Sequence, residues 1–176
     1  ALEEAFSFLP SYYRQEAIDG EVPPVNFYNL GMQNSRGFRA LKVWLGLRAS
    51  GRQGVIDAIQ RDIRLSKRLH ESLQAHEELQ ACTQNLSINT FRFRPRALPT
   101  TEGADDYLDQ LNRRLLTILR NSGELYLSNA MIDSHYWLRS CIVNFRAGAN
   151  DVDAIPPLVA QYGQELDAEL RPDALL

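Results

Sequence analysis

The stretch Ser87-Ile88-Asn89-Thr90-Phe91-Arg92-Phe93-Arg94-Pro95 decides the fold class of this chain. Its two phenylalanines fall on one side of an extended backbone, and the two arginines that alternate with them fall on the other, which is the period-two pattern of a β-strand. The final proline ends the strand because proline has no N–H to donate to a neighbouring strand. Residues 79–84 form the preceding strand, with Asn85 at the turn. The stretch therefore predicts a β-hairpin.

A second strand pair is predicted at residues 124–131 and 136–145, joined by a turn at residues 132–135. Apolar residues at three- and four-residue spacings predict helices around these hairpins, because that spacing places them on one helical face. The predicted helices span residues 2–8, 35–50, 51–76, 105–121 and 151–170. Helices and hairpins without β-α-β alternation predict an α+β fold, with an antiparallel sheet and helices packed on one face.

The composition is that of a globular chain: 44% of its 176 residues are hydrophobic and the net charge is −3. Nucleic-acid binding is disfavoured because it needs a basic excess, whereas acidic residues outnumber basic ones by 22 to 19. No run of about 18 apolar residues is present, so we expect no membrane-spanning segment. The three histidines have no spacing typical of a metal site. Cys82 and Cys141 lie in apolar, strand-like contexts, where buried free thiols in a reducing compartment are favoured over a disulfide.

The helix predicted at residues 35–50 combines a large apolar face with an unusual first turn. Ser35 is a suitable N-cap because its hydroxyl can accept a hydrogen bond from a free backbone N–H, and Gly51 favours the left-handed turn that closes a helix. Arginines near the first turn oppose the helix dipole; they are either solvated surface residues or part of an anion site or a contact between subunits. The apolar face, which we expect to be buried, consists of Phe38, Leu41, Trp44 and Leu45.

Arg139 lies in a predicted strand that otherwise consists mostly of large apolar groups, and it shares a face with Trp137, Cys141 and Val143. A guanidinium stays charged when it is buried, so an arginine on an apolar face needs an anionic partner. A carboxylate matches the planar guanidinium in a two-point contact. From the residues alone, three interpretations stay open: an internal salt bridge, an arginine on an exposed face, and a binding group for the carboxylate of a ligand.

Residues 11–24 are polar, are interrupted by glycine and proline and have no clear period, which predicts a loop. A loop of this length without secondary structure is usually functional or disordered. Tyr12 and Tyr13 within it are equally consistent with aromatic anchors on a protein surface and with a catalytic role.

Three segments match the motifs of one enzyme family. Residues 35–44 (SRGFRALKVW) resemble Gly-Arg-Arg-Phe-Arg-x-Leu-Lys-x-Trp, with Ser35 in place of the first glycine and Gly37 in place of the second arginine. Residues 5–13 (AFSFLPSYY) resemble Ala-Phe-x-x-x-Pro-x-Tyr-Leu, and residues 138–144 (LRSCIVN) resemble Leu/Phe-Arg-x-x-Ile/Val-x-Asn. Together they resemble the pyridoxal-phosphate-dependent amino acid decarboxylases, the group that contains the aromatic-amino-acid, histidine, glutamate and diaminobutyrate decarboxylases.

The resemblance implies roles for three residues. Tyr12 aligns with the tyrosine of a loop that closes over the active site and donates a proton to the substrate's α-carbon after CO₂ has left. Tyr13 stands where an apolar residue is usual. Arg139 aligns with the arginine associated with the substrate's α-carboxylate, and Arg36 is expected to help order the site or the contact between subunits.

The resemblance also implies an organisation and a cofactor. It runs from Ala5 to about Val159 and matches only the family's C-terminal part, so we expect residues 1–33 to form an active-site loop and linker and residues 34–176 to form the C-terminal small domain of a fold-type I enzyme. Pyridoxal phosphate binds a lysine amine, which the family supplies in a His-Lys pair upstream of the tyrosine loop. No lysine of this chain follows a histidine, so the segment alone should not bind the cofactor covalently and should be inactive.

The whole enzyme implied by the resemblance is a cytoplasmic homodimer that decarboxylates an L-amino acid to an amine. The first alternative is a non-enzymatic α+β module that binds a ligand or a regulatory partner. The second is another pyridoxal-phosphate-dependent reaction on the same scaffold, such as decarboxylation-coupled deamination.

Overall fold

The structure, a computed structural model, describes residues 1–6, 27–33, 35, 37–96, 98–100, 103–172 and 175. These residues form two compact units, residues 1–50 and residues 51–176. The predicted division into an active-site loop at 1–33 and a small domain at 34–176 stays a prediction. Within the described ranges, every helix is too short or too polar to span a membrane.

The described residues of the first unit contain two helices and one 3-10 turn. Helix α1 spans Leu2–Phe6, a 3-10 turn spans Phe27–Leu30, and helix α2 spans Arg39–Ala75 and so continues past the end of this unit. The prediction that Ser35 caps α2 is wrong, since the helix begins at Arg39. Gly37 gives the physical reason, because glycine loses more backbone freedom in a helical turn than any other residue.

Gly51 interrupts helix α2 with φ 64° and ψ 175°, a backbone conformation that is open almost only to glycine. The predicted end of the first helix at Gly51 is therefore confirmed. The apolar face before this break is exposed, in contrast to the expectation: Trp44 is 57% and Leu45 is 50% accessible.

The second unit is built on one four-stranded antiparallel sheet with strand order β1-β2-β4-β3. Both predicted hairpins are confirmed. The turn between the last two strands holds Asp133 and Ser134 at φ 49° and 67°, as in the tight turns whose twist matches that of the flanking strands. The strands are β1 (Leu79–Asn85), β2 (Ile88–Phe93), β3 (Ser128–Ile132) and β4 (His135–Cys141).

Helices α3 (Ala104–Ser122), α4 (Ala149–Asp153) and α5 (Ile155–Leu170) complete the second unit. One face of the sheet, on which Phe91 and Phe93 are fully buried, packs against α3, α5 and the second part of α2. The predicted α+β fold, an antiparallel sheet with helices on one face, is confirmed. The single helix predicted at residues 151–170 is wrong, because Pro156 and Pro157 cannot donate hydrogen bonds to the preceding turn and so separate α4 from α5.

Three residues set how the helices approach the sheet. Asn112 of α3 accepts a hydrogen bond from the Phe93 N–H at 2.8 Å and donates one to the Phe93 carbonyl at 2.9 Å. Asn89 of β2 donates to the main-chain oxygen and the hydroxyl of Ser66 in α2, at 3.0 and 2.9 Å. Gly163 of α5 lies so close to the sheet that an added Cβ would be 2.5 Å from the Phe93 ring. Side-chain amides thus bond α2 and α3 to strand β2, and the lack of a side chain at Gly163 allows α5 to approach the sheet closely.

The two cysteines are free. Cys82 is half-buried in β1, but Cys141 is exposed at the end of β4, so the expected burial of Cys141 is wrong. Its side chain lies on the sheet face that the helices do not cover, because residues along a strand alternate between the two faces.

Candidate functional site

The sheet face opposite the helices carries two arginines, Arg92 on β2 and Arg139 on β4; we call this surface the arginine face. The strand register places Thr90 and Ser128 on either side of Arg139, so the three side chains point the same way. Trp137 lies on the same face, two residues before Arg139. The predicted carboxylate-binding residue is therefore in a polar patch and not in the core between the sheet and the helices.

Arg139 is half-buried and is held by one neighbour. Its Nη1 donates a hydrogen bond to the Ser128 Oγ at 3.2 Å, and the Ser128 hydroxyl lies 3.2 Å from the Arg139 carbonyl oxygen, to which it donates. Within the described part of the chain, no aspartate or glutamate forms a salt bridge with Arg139. An internal salt bridge thus finds no support among these residues, whereas an arginine on an exposed face and a guanidinium that binds the carboxylate of a ligand are both consistent with the geometry.

Arg92 provides an instructive contrast, because its charge is already paired. Its guanidinium carbon lies 4.7 Å from the centre of the Trp137 ring, its Nε donates to Gln80 at 2.8 Å, and its Nη2 donates to Asp105 at 3.0 Å. The side chain is only 7% exposed. Sequence reasoning assigned Arg92 to a strand face but did not single it out, although the argument applied to Arg139, an arginine on an otherwise apolar strand, also selects it.

A cavity of about 360 Å³ lies near the end of β4, but it is not part of the arginine face. Its lining includes Ser140, Cys141 and Asp151 and excludes both Arg139 and Ser128. The buried Ser140 hydroxyl has no hydrogen-bond partner among the described residues, and the Asp151 carboxylate is used as the cap of α4, where it accepts a backbone N–H at 2.8 Å. Of the carboxylates that line it in the described ranges, Asp151 is thus occupied by the helix cap and Glu124 by the Tyr162 hydroxyl at 2.9 Å.

Comparison with known proteins identifies the family to which this chain belongs. The profile of the family described as "Pyridoxal-dependent decarboxylase conserved domain" matches residues 1–95, more than half of the chain. This chain belongs to the pyridoxal-dependent decarboxylase family. The matched region contains the motifs at residues 5–13 and 35–44, whereas the motif around Arg139 lies beyond it.

Other pyridoxal-dependent decarboxylase relatives are longer than this chain. An aromatic-L-amino-acid decarboxylase of Bacillus atrophaeus is 27% identical over 168 residues, which is 94% of this chain and 34% of the relative. A phenylacetaldehyde synthase of a Rosa hybrid cultivar is 27% identical over 144 residues, or 80% of this chain and 28% of the relative. The crystal structure of Oryza sativa TDC with PLP and tryptamine has a TM-score of 0.71 at 21% identity, covering 93% of this chain and 33% of that one. The chain thus shares the fold and spans about a third of the length of the curated relatives.

Two of the three predicted site residues of this decarboxylase chain, Tyr12 and Arg36, lie outside the described residues, as does Tyr13. Their predicted roles stay predictions. Arg139 is the predicted site residue whose surroundings are known, and they contain no acid–base partner within the described ranges.

The described residues do not form a pyridoxal-phosphate site. The cofactor requires a lysine amine that faces it inside the active site, whereas both lysines of the chain, Lys42 and Lys67, are exposed on helix α2. Within the same ranges, no three His, Cys, Asp or Glu side chains come together as a metal site.

Proposed function

We propose that this chain is the substrate-binding part of a pyridoxal-phosphate-dependent decarboxylase that converts an L-amino acid to CO₂ and the corresponding amine. The observation that carries the proposal is the half-buried Arg139 guanidinium, which has no carboxylate partner among the described residues. The family match supports the enzyme over a non-enzymatic ligand-binding module. The cofactor and its lysine are supplied by the part of the enzyme outside this chain, and the bound cofactor is the electron sink for decarboxylation.

Arg139 binds the α-carboxylate of the amino acid. The planar shape of its guanidinium allows two parallel hydrogen bonds to the two carboxylate oxygens. This contact fixes the orientation of the bond that breaks. The contact is also lost when CO₂ leaves, so Arg139 favours the binding of substrate over that of the amine product.

Tyr12 donates the proton that takes the place of CO₂ on the α-carbon. A free phenol has a pKa of about 10, so a tyrosine side chain of this kind carries a proton to donate at neutral pH. Tyr12→Phe should slow this protonation and increase side products, whereas Tyr13→Phe serves as the matched control. A Tyr12→Phe enzyme that forms the amine at the normal rate would remove Tyr12 from this role.

Three further parts of the proposal rest on the family resemblance. The enzyme is a homodimer, Arg36 orders the site or the contact between subunits, and the enzyme is cytoplasmic. Light scattering of the full-length protein tests the dimer, and the same measurement on Arg36→Ala tests the subunit contact. Fractionation of the source cells tests the location.

The experiment for the central proposal uses the full-length enzyme with its cofactor. CO₂ release is measured with L-tyrosine, L-tryptophan, L-phenylalanine, L-glutamate and L-2,4-diaminobutyrate to find the best substrate. Arg139→Lys keeps the charge but removes the two-point contact, so it should raise KM about tenfold or more. Arg113→Lys is the matched control, because Arg113 is exposed on α3, which packs on the opposite face of the sheet. Equal KM values for Arg139→Lys and the wild type would refute the assignment.

A second candidate activity is decarboxylation coupled to oxidative deamination, in which O₂ is the oxidant, water supplies the aldehyde oxygen, and the products are an aldehyde, CO₂, ammonia and hydrogen peroxide. The observation in its favour is the similarity to a phenylacetaldehyde synthase. The ratio of amine to aldehyde formed by the full-length enzyme decides between the two. Amine with no peroxide supports simple decarboxylation, and peroxide in equal amount to CO₂ supports the second activity.

A further inference from the structure

We propose that Ser128 is a positioning residue for Arg139 and that it directs the Nε–Nη2 edge of the guanidinium toward the substrate's carboxylate. The inference rests on the proposed role of Arg139 and extends it to a residue in another strand. It assigns to β3, the edge strand of the sheet, a part in substrate recognition.

The first step of the argument is the double contact between the two residues. The Ser128 Oγ accepts a hydrogen bond from the Arg139 Nη1 at 3.2 Å and donates its own proton to the Arg139 carbonyl at 3.2 Å. The hydroxyl therefore connects the end of the Arg139 side chain to the backbone of the same residue. A long side chain with many rotamers is restricted in this way before any ligand arrives, which lowers the entropy cost of binding.

The second step concerns the other neighbour of Arg139 in the sheet. Thr90 lies opposite Arg139 on β2, but its hydroxyl is already bonded to Thr83. It accepts a hydrogen bond from the Thr83 backbone N–H at 3.0 Å, and it shares a second hydrogen bond with the Thr83 hydroxyl at 2.7 Å. In the described part of the chain, Ser128 is thus the residue that fixes the guanidinium.

The third step is the choice of edge. A carboxylate binds an arginine in two-point fashion either through Nη1 and Nη2 or through Nε and Nη2. Because Nη1 is already bonded to Ser128, and Nε and Nη2 have no acceptor among the described residues, the second edge is the one presented to a ligand. A substitution that removes the Ser128 hydroxyl should therefore weaken the binding of the carboxylate more than the binding of the rest of the ligand.

The experiment compares the full-length enzyme, with cofactor, as wild type, Ser128→Ala, Ser128→Thr and Arg139→Lys. The probes are the best amino acid from the substrate panel and the amine formed from it, for example L-tyrosine and tyramine, with the amine used as a competitive inhibitor. We expect Ser128→Ala to raise KM for the amino acid about 5- to 10-fold, with kcat and the inhibition constant of the amine within about twofold of wild type. Ser128→Thr, which keeps a hydroxyl on a strand-compatible side chain, should restore the wild-type KM.

The outcomes separate the two proposals. If Arg139→Lys raises KM and Ser128→Ala does not, the role of Ser128 is refuted and that of Arg139 stands. If Arg139→Lys leaves KM unchanged, the role of Arg139 fails and that of Ser128 fails with it. If Ser128→Ala weakens the amine as much as the amino acid, or if Ser128→Thr does not restore KM, Ser128 acts on the structure in general and the inference is overturned. Thermal unfolding of each variant, expected within about 2 °C of wild type for a half-exposed hydroxyl, identifies a folding defect.

Discussion

Replacing Gly163 by alanine should destabilise the second unit, although alanine is the better helix former. Gly163 lies within α5, and an added Cβ would meet three carbon atoms of the Phe93 ring at 2.5, 2.6 and 2.7 Å. Carbon atoms in van der Waals contact are about 3.5–4.0 Å apart, so the overlap is about 1 Å. The Phe93 side chain is fully buried, so the ring has no solvent-filled space into which it can move.

The magnitude follows from two opposing contributions. Forcing an extra methyl group into a packed core costs about 1–3 kcal/mol, and simultaneous overlap with three ring atoms favours the upper end of that range. Alanine in a helix interior is more favourable than glycine by about 1 kcal/mol. We therefore expect Gly163→Ala to lower the free energy of unfolding by about 2 kcal/mol, which corresponds to a fall in Tm of about 4–8 °C.

The assay is urea and thermal unfolding of wild type, Gly163→Ala, Phe93→Leu and the double variant. Leucine at position 93 removes the ring that the new methyl group overlaps. The loss in free energy of unfolding of the double variant should therefore be smaller than the sum of the two single losses by about 1 kcal/mol or more. Additive effects within about 0.5 kcal/mol would show that the methyl group and the ring do not meet, and an increase in Tm for Gly163→Ala would refute the close approach of α5 to the sheet.

Three further predictions concern the same unit. Asn112→Leu removes both hydrogen bonds to the neighbouring strand, at 2.8 and 2.9 Å, and should lower the free energy of unfolding by about 2–4 kcal/mol, since two buried backbone groups lose their partners. Tyr107 donates a hydrogen bond to Asp167 at 2.6 Å, and burial and this bond raise the pKa of Tyr107 above its ordinary value. Its contribution to stability should therefore be full below about pH 10 and should fall as pH rises further. Tyr107→Phe should lack this fall. The hydrogen bond from Arg68 holds the pKa of Asp153 below its ordinary value, so this contribution is present above about pH 4 and is lost as pH falls through the lowered pKa; Asp153→Asn should flatten the acid side of the stability profile.

Urea unfolding at a series of pH values tests these three predictions together. A loss below about 1 kcal/mol for Asn112→Leu would mean that water or another group replaces the amide. A Tyr107→Phe profile that still falls above about pH 10 as steeply as wild type would assign the alkaline loss to other groups. An Asp153→Asn profile parallel to wild type at low pH would show that the ion pair with Arg68 does not persist in solution.

The sheet was predictable because its signals are local. Alternating phenylalanines and arginines predicted β2 correctly, and a turn centred between residues 133 and 134 already sets residue 128 opposite residue 139. The errors came from underestimating residues that interrupt helices. Two prolines divide the last predicted helix, and Gly37 shifts the start of α2 to a later residue. In each case the backbone preference of one or two residues outweighed an apolar pattern that continued across them.

The candidate site was only partly predictable. The chemistry of Arg139 follows from its residue type and its strand, and its side chain has no carboxylate partner within the described residues. Its role toward a substrate stays a prediction. The hydrogen bond to Ser128 was not foreseen, because it depends on the rotamers of two side chains in different strands. Arg92 was missed since its partners, Gln80 and Asp105, come from a separate strand and a helix; a sequence does not reveal which of two similar arginines is already neutralised.

The strand order has a consequence for how this unit folds. Each hairpin joins strands that are adjacent along the chain, but β2 and β4 bring together residues about 50 positions apart, as in the pairing of Ile88 with Cys141. Closing such a long loop costs chain entropy before the contacts between the two strands can repay it. We therefore expect the docking of one hairpin onto the other, with α3 between them in sequence, to limit the rate of folding. Weakening the pairing of β2 with β4 should then slow refolding more than weakening either hairpin turn.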